Sequence, residues 1–217
     1  MVIQHKKLSH KGGMYIYRTH LPKISSLCTG VFAPLQEYLS SMLASCPDQY
    51  FLSGPRSSTL RLKLSTACSE FLSHEVSLLS MHGLQVNFER FRDNHSRVQM
   101  FMLEHDKKTV AIEVPLWLHA EELEGYHDLF QSEKELTGHI DVLRIEDNKI
   151  WIWDYKPQAR KEEFATTQVY FYALMLSKRT NISLSEIMCG YFDEHSAFTF
   201  SPCEIKIPLQ PKLMNYV

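Results

Sequence analysis

The sequence predicts a mixed α/β (α+β) domain in which a central β-sheet is flanked by helices. Three features carry that expectation. Apolar runs over Thr137–Glu146 and Lys149–Pro157 meet at the turn-prone pair Asp147–Asn148, a helical stretch over Glu162–Arg179 follows directly, and Ile187–Phe192 and Ala197–Ile207 read as closing strands. At 217 residues the chain is the size of one domain, or of one domain with a small extension. A hydrophobic share of 44% against 22% charged residues supplies a core and excludes disorder as the main state.

Residues 1–57 form an N-terminal extension to which the sequence assigns no role. Gly12–Gly13, Pro34, Pro47 and Gly54–Pro55 punctuate it, and Leu35–Ala44 is its one helical stretch. Residues 58–217 form the main domain. Leu60, Leu64, Ala67, Phe71, His74 and Leu78 recur at steps of four and three, which predicts a helix with His74 on its inward stripe. Val86–Arg92 reads as a second helical stretch. Val98–Glu104 and Thr109–Leu118 read as strands around the turn His105-Asp-Lys-Lys108, and the acidic segment Glu121–Glu135 as an exposed excursion.

The formal net charge of −2 excludes a basic field over the whole molecule, so nucleic-acid binding would require a local patch. Cys28, Cys46, Cys68, Cys189 and Cys203 contain no C-x-x-C pair and read as free thiols of a reducing compartment. The histidines include no H-E-x-x-H pattern. No apolar run approaches the roughly 20 residues that span a bilayer. The opening residues lack an apolar signal core, so an intracellular, cytoplasmic chain without membrane attachment is expected.

The chemistry concentrates in the central hairpin. A two-residue turn at Asp147–Asn148 places Asp141 opposite Asp154 and His139 opposite Lys156, all on one face with Leu143, Ile145, Ile150 and Ile152. The other face carries Ile140, Val142, Trp151, Trp153 and Tyr155, so both faces are apolar and the hairpin is central in its sheet. Two aspartates in a cross-strand pair repel. A divalent cation bound to both, Mg²⁺ or Mn²⁺ by the hardness of the oxygen ligands, resolves the conflict. A cation beside Lys156 suits phosphodiester hydrolysis, with Lys156 orienting the attacking water or stabilising the transition state. A structural ion pair between Lys156 and either aspartate is the competing reading. Facing carboxylates also suit a retaining glycosidase, but the aromatic residues point to the opposite face.

The string from Gly138 to Pro157, with Gly138-His-Ile-Asp141 followed by Asp154-Tyr-Lys156, resembles the core of the PD-(D/E)XK nucleases, specifically the RecB-like branch. Gln168-Val-Tyr-Phe-Tyr172 resembles the Q-x-x-x-Y motif of that branch, two residues that share a helix face. The resemblance covers roughly residues 60–200. It implies a restriction-endonuclease-like fold and a Mg²⁺- or Mn²⁺-dependent DNA nuclease, an exonuclease in repair, recombination or mobile-element processing. Asp141 and Asp154 would hold the metal, joined by His74 and the backbone carbonyl of Tyr155, and Lys156 would assist the attack. Gln168 and Tyr172 would position Lys156 or the DNA. The glycine usual four residues before the family's histidine is absent here. Glu113 and His139 are further candidates, the former matching an acidic residue of the preceding strand. The cysteine spacing does not fit the iron–sulfur cluster of some relatives, so a cluster-free protein is expected. Arg56, Arg61, Lys63, Arg160, Lys161, Lys178 and Arg179 lie near these motifs and are candidates for phosphate contacts with DNA, single-stranded or at duplex ends. The alternative is a catalytically inactive nuclease-fold module for DNA binding or assembly.

Overall fold

The structure, a computed structural model, describes residues 2–207. The end of the 58–217 unit therefore lies outside the described residues. The hairpin of β1 (Ile3–His10) and β2 (Gly13–His20) is followed by the short α1 (Leu21–Leu27) and by α2 (Ala33–Ala44). The edge strand β3 (Ser69–Leu72) precedes α3 (Glu75–Val86) and α4 (Asn94–His105). Then come β4 (Thr109–Leu118), the one-turn α5 (Tyr126–Phe130), β5 (Leu136–Glu146), β6 (Lys149–Tyr155), α6 (Ala165–Thr180), β7 (Ile187–Phe192) and β8 (Ser196–Phe200).

All eight strands join one sheet in the order β1-β2-β4-β5-β6-β7-β8-β3. Among the strand pairs of the described residues only β6 and β7 run parallel, and α6 makes the crossover that a parallel pair requires. Residues 1–57 thus supply two strands to the same sheet. The mixed sheet between helical layers is consistent with a restriction-endonuclease-like fold. One layer packs α2 and α6 on Leu143, Ile145, Ile150 and Ile152; the other packs α3 and α4 on Val142, Trp153 and Tyr155. With both faces covered, β5 is buried from Leu136 to Ile145.

The hairpin turn forms as the sequence predicts. Asp147 and Asn148 both have positive φ, 49° and 56°, the requirement of a two-residue turn matched to strand twist. The pairing runs from Glu146↔Lys149 to Val142↔Trp153 in the expected register. The helix of Leu35–Ala44 and the strand of Thr109–Leu118 are also found.

Five expectations are corrected. Residues 60–68 form no helix. They run extended across α6, where the Thr167 hydroxyl donates to the Leu62 carbonyl and accepts the Leu64 N–H, so hydrogen bonds to a distant helix outweigh the local period. Val98–Glu104 is helical, not a strand: Asp93 caps α4 by accepting the Ser96 N–H at 2.7 Å, and Val98, Met102 and Leu103 face the core. Val86 ends α3, and residues 87–90 are a turn. The excursion at Glu121–Glu135 is anchored, because Tyr126 and Phe130 of α5 are buried and Phe130 packs edge-on against Phe171. The last predicted strand stops at Phe200 and gives way to a 3₁₀ turn at Pro202–Glu204.

Arg144 on β5 is fully buried and holds three acids at once: Asp106 at 2.9 Å, Glu75 at 2.7 Å and Glu146 at 3.0 Å. Lys108 closes the network on Glu75 and Glu146. Burial works to raise the Glu75 carboxyl, but Lys108 and Arg144 prevail and bring it down to about 2. The network ties the starts of α3 and β4 to the central strand. Arg144→Met is expected to cost about 3–5 kcal/mol in urea unfolding, because Asp106 then stays buried without its cation. A loss under about 1 kcal/mol would show the network to be dispensable.

Candidate active site

The carboxylates meet where the sheet forks. The β5–β6 ladder ends at Val142↔Trp153; beyond it β5 continues beside β4 to Leu136↔Leu118, while β6 follows β7 to Tyr155↔Phe192. Asp141 and Asp154 are therefore not the ladder pair that the sequence predicts. Instead the Asp141 carboxylate crosses the gap and accepts the Tyr155 N–H at 2.9 Å. The expected pairing of His139 with Lys156 is likewise replaced. His139 lies opposite Pro115 on β4, and Lys156 turns to Asp154 at 2.7 Å.

Helix α6 closes the fork. Lys156 Nζ donates to Gln168 Oε1 at 2.9 Å, and Gln168 Nε2 lies 3.1 Å from Asp154 Oδ1 and 2.7 Å from the Tyr172 hydroxyl. One amide thus fixes the lysine, an aspartate and the tyrosine, which accounts for the four-residue spacing of Gln168 and Tyr172. Gly138 has a packing reason. A Cβ there would lie 2.3 Å from the Tyr172 ring and 2.5 Å from Ser57 Oγ, so glycine at this position lets α6 approach β5.

Glu113 completes the acidic group from the other side. The register Ile112↔Val142 and Val114↔Ile140 sets Glu113 opposite Asp141. Its φ of 53° is a conformation that a non-glycine residue adopts at a cost, as functional positions often do. Two residues of α4 reach the same carboxylates. Gln99 Nε2 donates to Glu113 Oε1 at 2.7 Å, and His95 Nε2 stands 3.7 Å from Asp141 Oδ2 with its ring edge-on to Tyr155. Neither belongs to a motif that the sequence singles out. The signal was the Asp93 cap, which starts a helix and puts His95 and Gln99 on one face at i and i+4.

The two other histidines sit elsewhere. His74 is the residue that caps α3, accepting the Val76 N–H at 3.3 Å, not a side chain on an inward helical stripe. Its ring lies beside Trp153, on the face opposite the carboxylates, and burial and Arg144 lower its pKa. His139 bonds to His10 at 2.9 Å and stacks on Tyr15.

Three carboxylates with one ammonium leave the fork short of positive charge. Burial and then Asp141 push the Glu113 carboxyl up to about 8; burial and then Asp154 push Asp141 up to about 6. Burial works to lower Lys156, but Asp154 and Asp141 prevail and raise it, so it stays an ammonium. An oxygen-only donor set with this charge deficit fits a hard divalent cation. Of the candidates, the structure brings together Asp141, Asp154, Lys156, Gln168, Tyr172 and Glu113, with the Tyr155 backbone alongside.

The raised acids fix a sign. In metal-free protein, Glu113 and Asp141 bind protons more tightly folded than unfolded, so stability falls as pH rises from the ordinary carboxylate range toward 8. Glu113→Gln is expected to raise the thermal midpoint in EDTA at pH 8 by several degrees and to change it little at pH 4. An equal shift at both pH values would show that Glu113 ionises normally. Gly138→Ala is expected to lower the midpoint at every pH by displacing Tyr172, roughly the 1–3 kcal/mol of an overpacked core.

A family model described as the PD-(D/E)XK nuclease superfamily matches residues 59–202, more than half of the chain. No curated protein matches the chain.

Proposed function

Because the chain belongs to the PD-(D/E)XK nuclease superfamily, we propose that it is a Mg²⁺- or Mn²⁺-dependent deoxyribonuclease in which Asp141, Asp154 and Lys156 carry the reaction. The observation that carries this reading is the fork itself, where Asp141 takes the Tyr155 N–H, Asp154 pairs with Lys156 at 2.7 Å and Glu113 lies opposite Asp141 on β4. Asp141 and Asp154 would hold the cation, with Glu113 and the Tyr155 carbonyl as further oxygen donors. When bound, the cation would supply a water of lowered pKa and charge neutralisation at the scissile phosphate.

The chain's own groups account for the rest. Lys156, kept charged by its two acidic neighbours, donates to the phosphate or the attacking water and does not act as a base. Gln168 holds Lys156 and Asp154 in one geometry before substrate arrives. His95, partly exposed beside Asp141, is a candidate to contact a phosphate or carry a proton. The RecB-like branch and exonuclease action rest on the resemblance carried by the Gly138–Pro157 string together with the Gln168-x-x-x-Tyr172 pattern. A groove of about 610 Å³ lined by Lys63, Arg160 and Lys161, and also by Glu162 and Glu163, offers a path for the DNA backbone along its basic side. Arg160 is engaged there by Glu70 at 2.6 Å, whereas Arg179 is held by Glu122 over the Trp117 ring. A role in repair, recombination or mobile-element processing follows from the same resemblance.

The test is cleavage of end-labelled single- and double-stranded DNA with Mg²⁺, Mn²⁺ or EDTA. Lys156→Ala and Asp154→Asn are each expected to lose about 100-fold or more of a metal-dependent activity. At limiting metal the wild-type rate should climb between about pH 6 and 8, as protons leave Asp141 and Glu113, and added metal should move that rise to lower pH. Absence of cleavage on all substrates would leave a DNA-binding or assembly module.

A further inference from the structure

A second cluster of metal-ligating side chains lies outside the carboxylate fork, in the segment before the residues that match the family. His10 ends β1, and Cys46 and Asp48 follow α2; their ligand atoms all lie within 4.8 Å of one another. His10 and Cys46 are buried, while the Asp48 side chain is 55% exposed. The cluster is enclosed on the protein side and open to water at Asp48.

The rings are fixed in advance. His10 stacks on Phe51 at 4.0 Å with planes 12° apart, and His139 stacks on Tyr15 at 3.9 Å and 7°. His10 Nδ1 lies 2.9 Å from His139 Nε2, which leaves Nε2 of His10 facing Asp48 Oδ1 at 2.9 Å. In the tautomer in which His10 Nδ1–H donates to His139, the Nε2 lone pair points at the Asp48 carboxylate, an arrangement that a cation between them would complete; in the other, Nε2–H donates to Asp48. The outer bond to His139 is the kind that fixes the tautomer of a metal-bound imidazole. Imidazole, thiolate and carboxylate together suit zinc, not magnesium. Bonds of about 2.0–2.3 Å to one ion would draw together ligand atoms that already lie within 4.8 Å of one another.

We propose that His10, Cys46 and Asp48 form a zinc-class metal site, oriented by His139 and completed by solvent. The ion clips β1 to the segment after α2, and through His139 it braces the strand that carries Asp141. Its source is the N-terminal extension, so it stands apart from the nuclease reading.

The full-length chain, stripped with EDTA and desalted, is titrated with ZnCl₂ by calorimetry and its thermal midpoint followed. The Asp141→Asn/Asp154→Asn variant is run in parallel to remove the carboxylate fork. Both are expected to bind one Zn²⁺ equivalent at this site, with the midpoint rising by about 5–10 °C when zinc is well above its Kd. Asp48→Asn, at an exposed position, and Cys46→Ser should each weaken binding at least tenfold. Co²⁺-loaded wild type should show a thiolate-to-cobalt charge-transfer band in the near ultraviolet that Cys46→Ser lacks. Zinc binding that vanishes in the double aspartate variant, affinity unchanged by Asp48→Asn and Cys46→Ser, or a cobalt spectrum without the thiolate band would each overturn the site.

Discussion

The ladder between β5 and β6 has to end at Val142↔Trp153 for the acidic site to exist. One further rung would lock Asp141 and Asp154 into a closed cross-strand pair. Because β5 keeps to β4 and β6 turns with β7, a cleft opens in an otherwise buried sheet, and the Tyr155 N–H left over at the split is taken by Asp141. The absence of a side chain at Gly138 lets Tyr172 and α6 enter from one side, and α4 brings His95 and Gln99 from the other. The fork thus collects groups from five elements, α4, β4, β5, β6 and α6.

Inside the fork, electrostatics decide the chemistry. Burial works against the charge on Lys156, yet Asp154 and Asp141 hold it, while burial and mutual repulsion raise the carboxyls of Glu113 and Asp141. Such a site is incomplete without added positive charge. Gln168 contributes geometry instead of charge, since its amide can donate and accept at the same time and so links a cation to an anion without competing with either.

The central hairpin was legible because its register depends on one turn and an alternating pattern, both local features. Gln168 and Tyr172 were legible because helical spacing ties them together. The geometry at Asp141 was not, since extending an ideal ladder by one residue ignores that neighbouring strands compete for the same backbone groups. The stripe from Leu60 to Leu78 has helical spacing, but the hydroxyl of Thr167, a hundred residues away, captures that backbone. Met and Phe in Val98–Glu104 serve a helix or a strand equally, and the Asp93 cap was the local sign that decides between them. That error hid His95 and Gln99. The expected place for His74 fell with the helix that was to carry it. The pairing of residues 1–57 with the sheet is non-local and leaves little trace in sequence.

The most direct measurement is the number of protons released when Mn²⁺ binds near pH 7, from calorimetry in buffers of different ionisation enthalpy. If the fork holds protons for want of a cation, wild type should release protons on binding, and Glu113→Gln should release close to one fewer. Binding without proton release, or release unchanged by Glu113→Gln, would contradict that picture of the site.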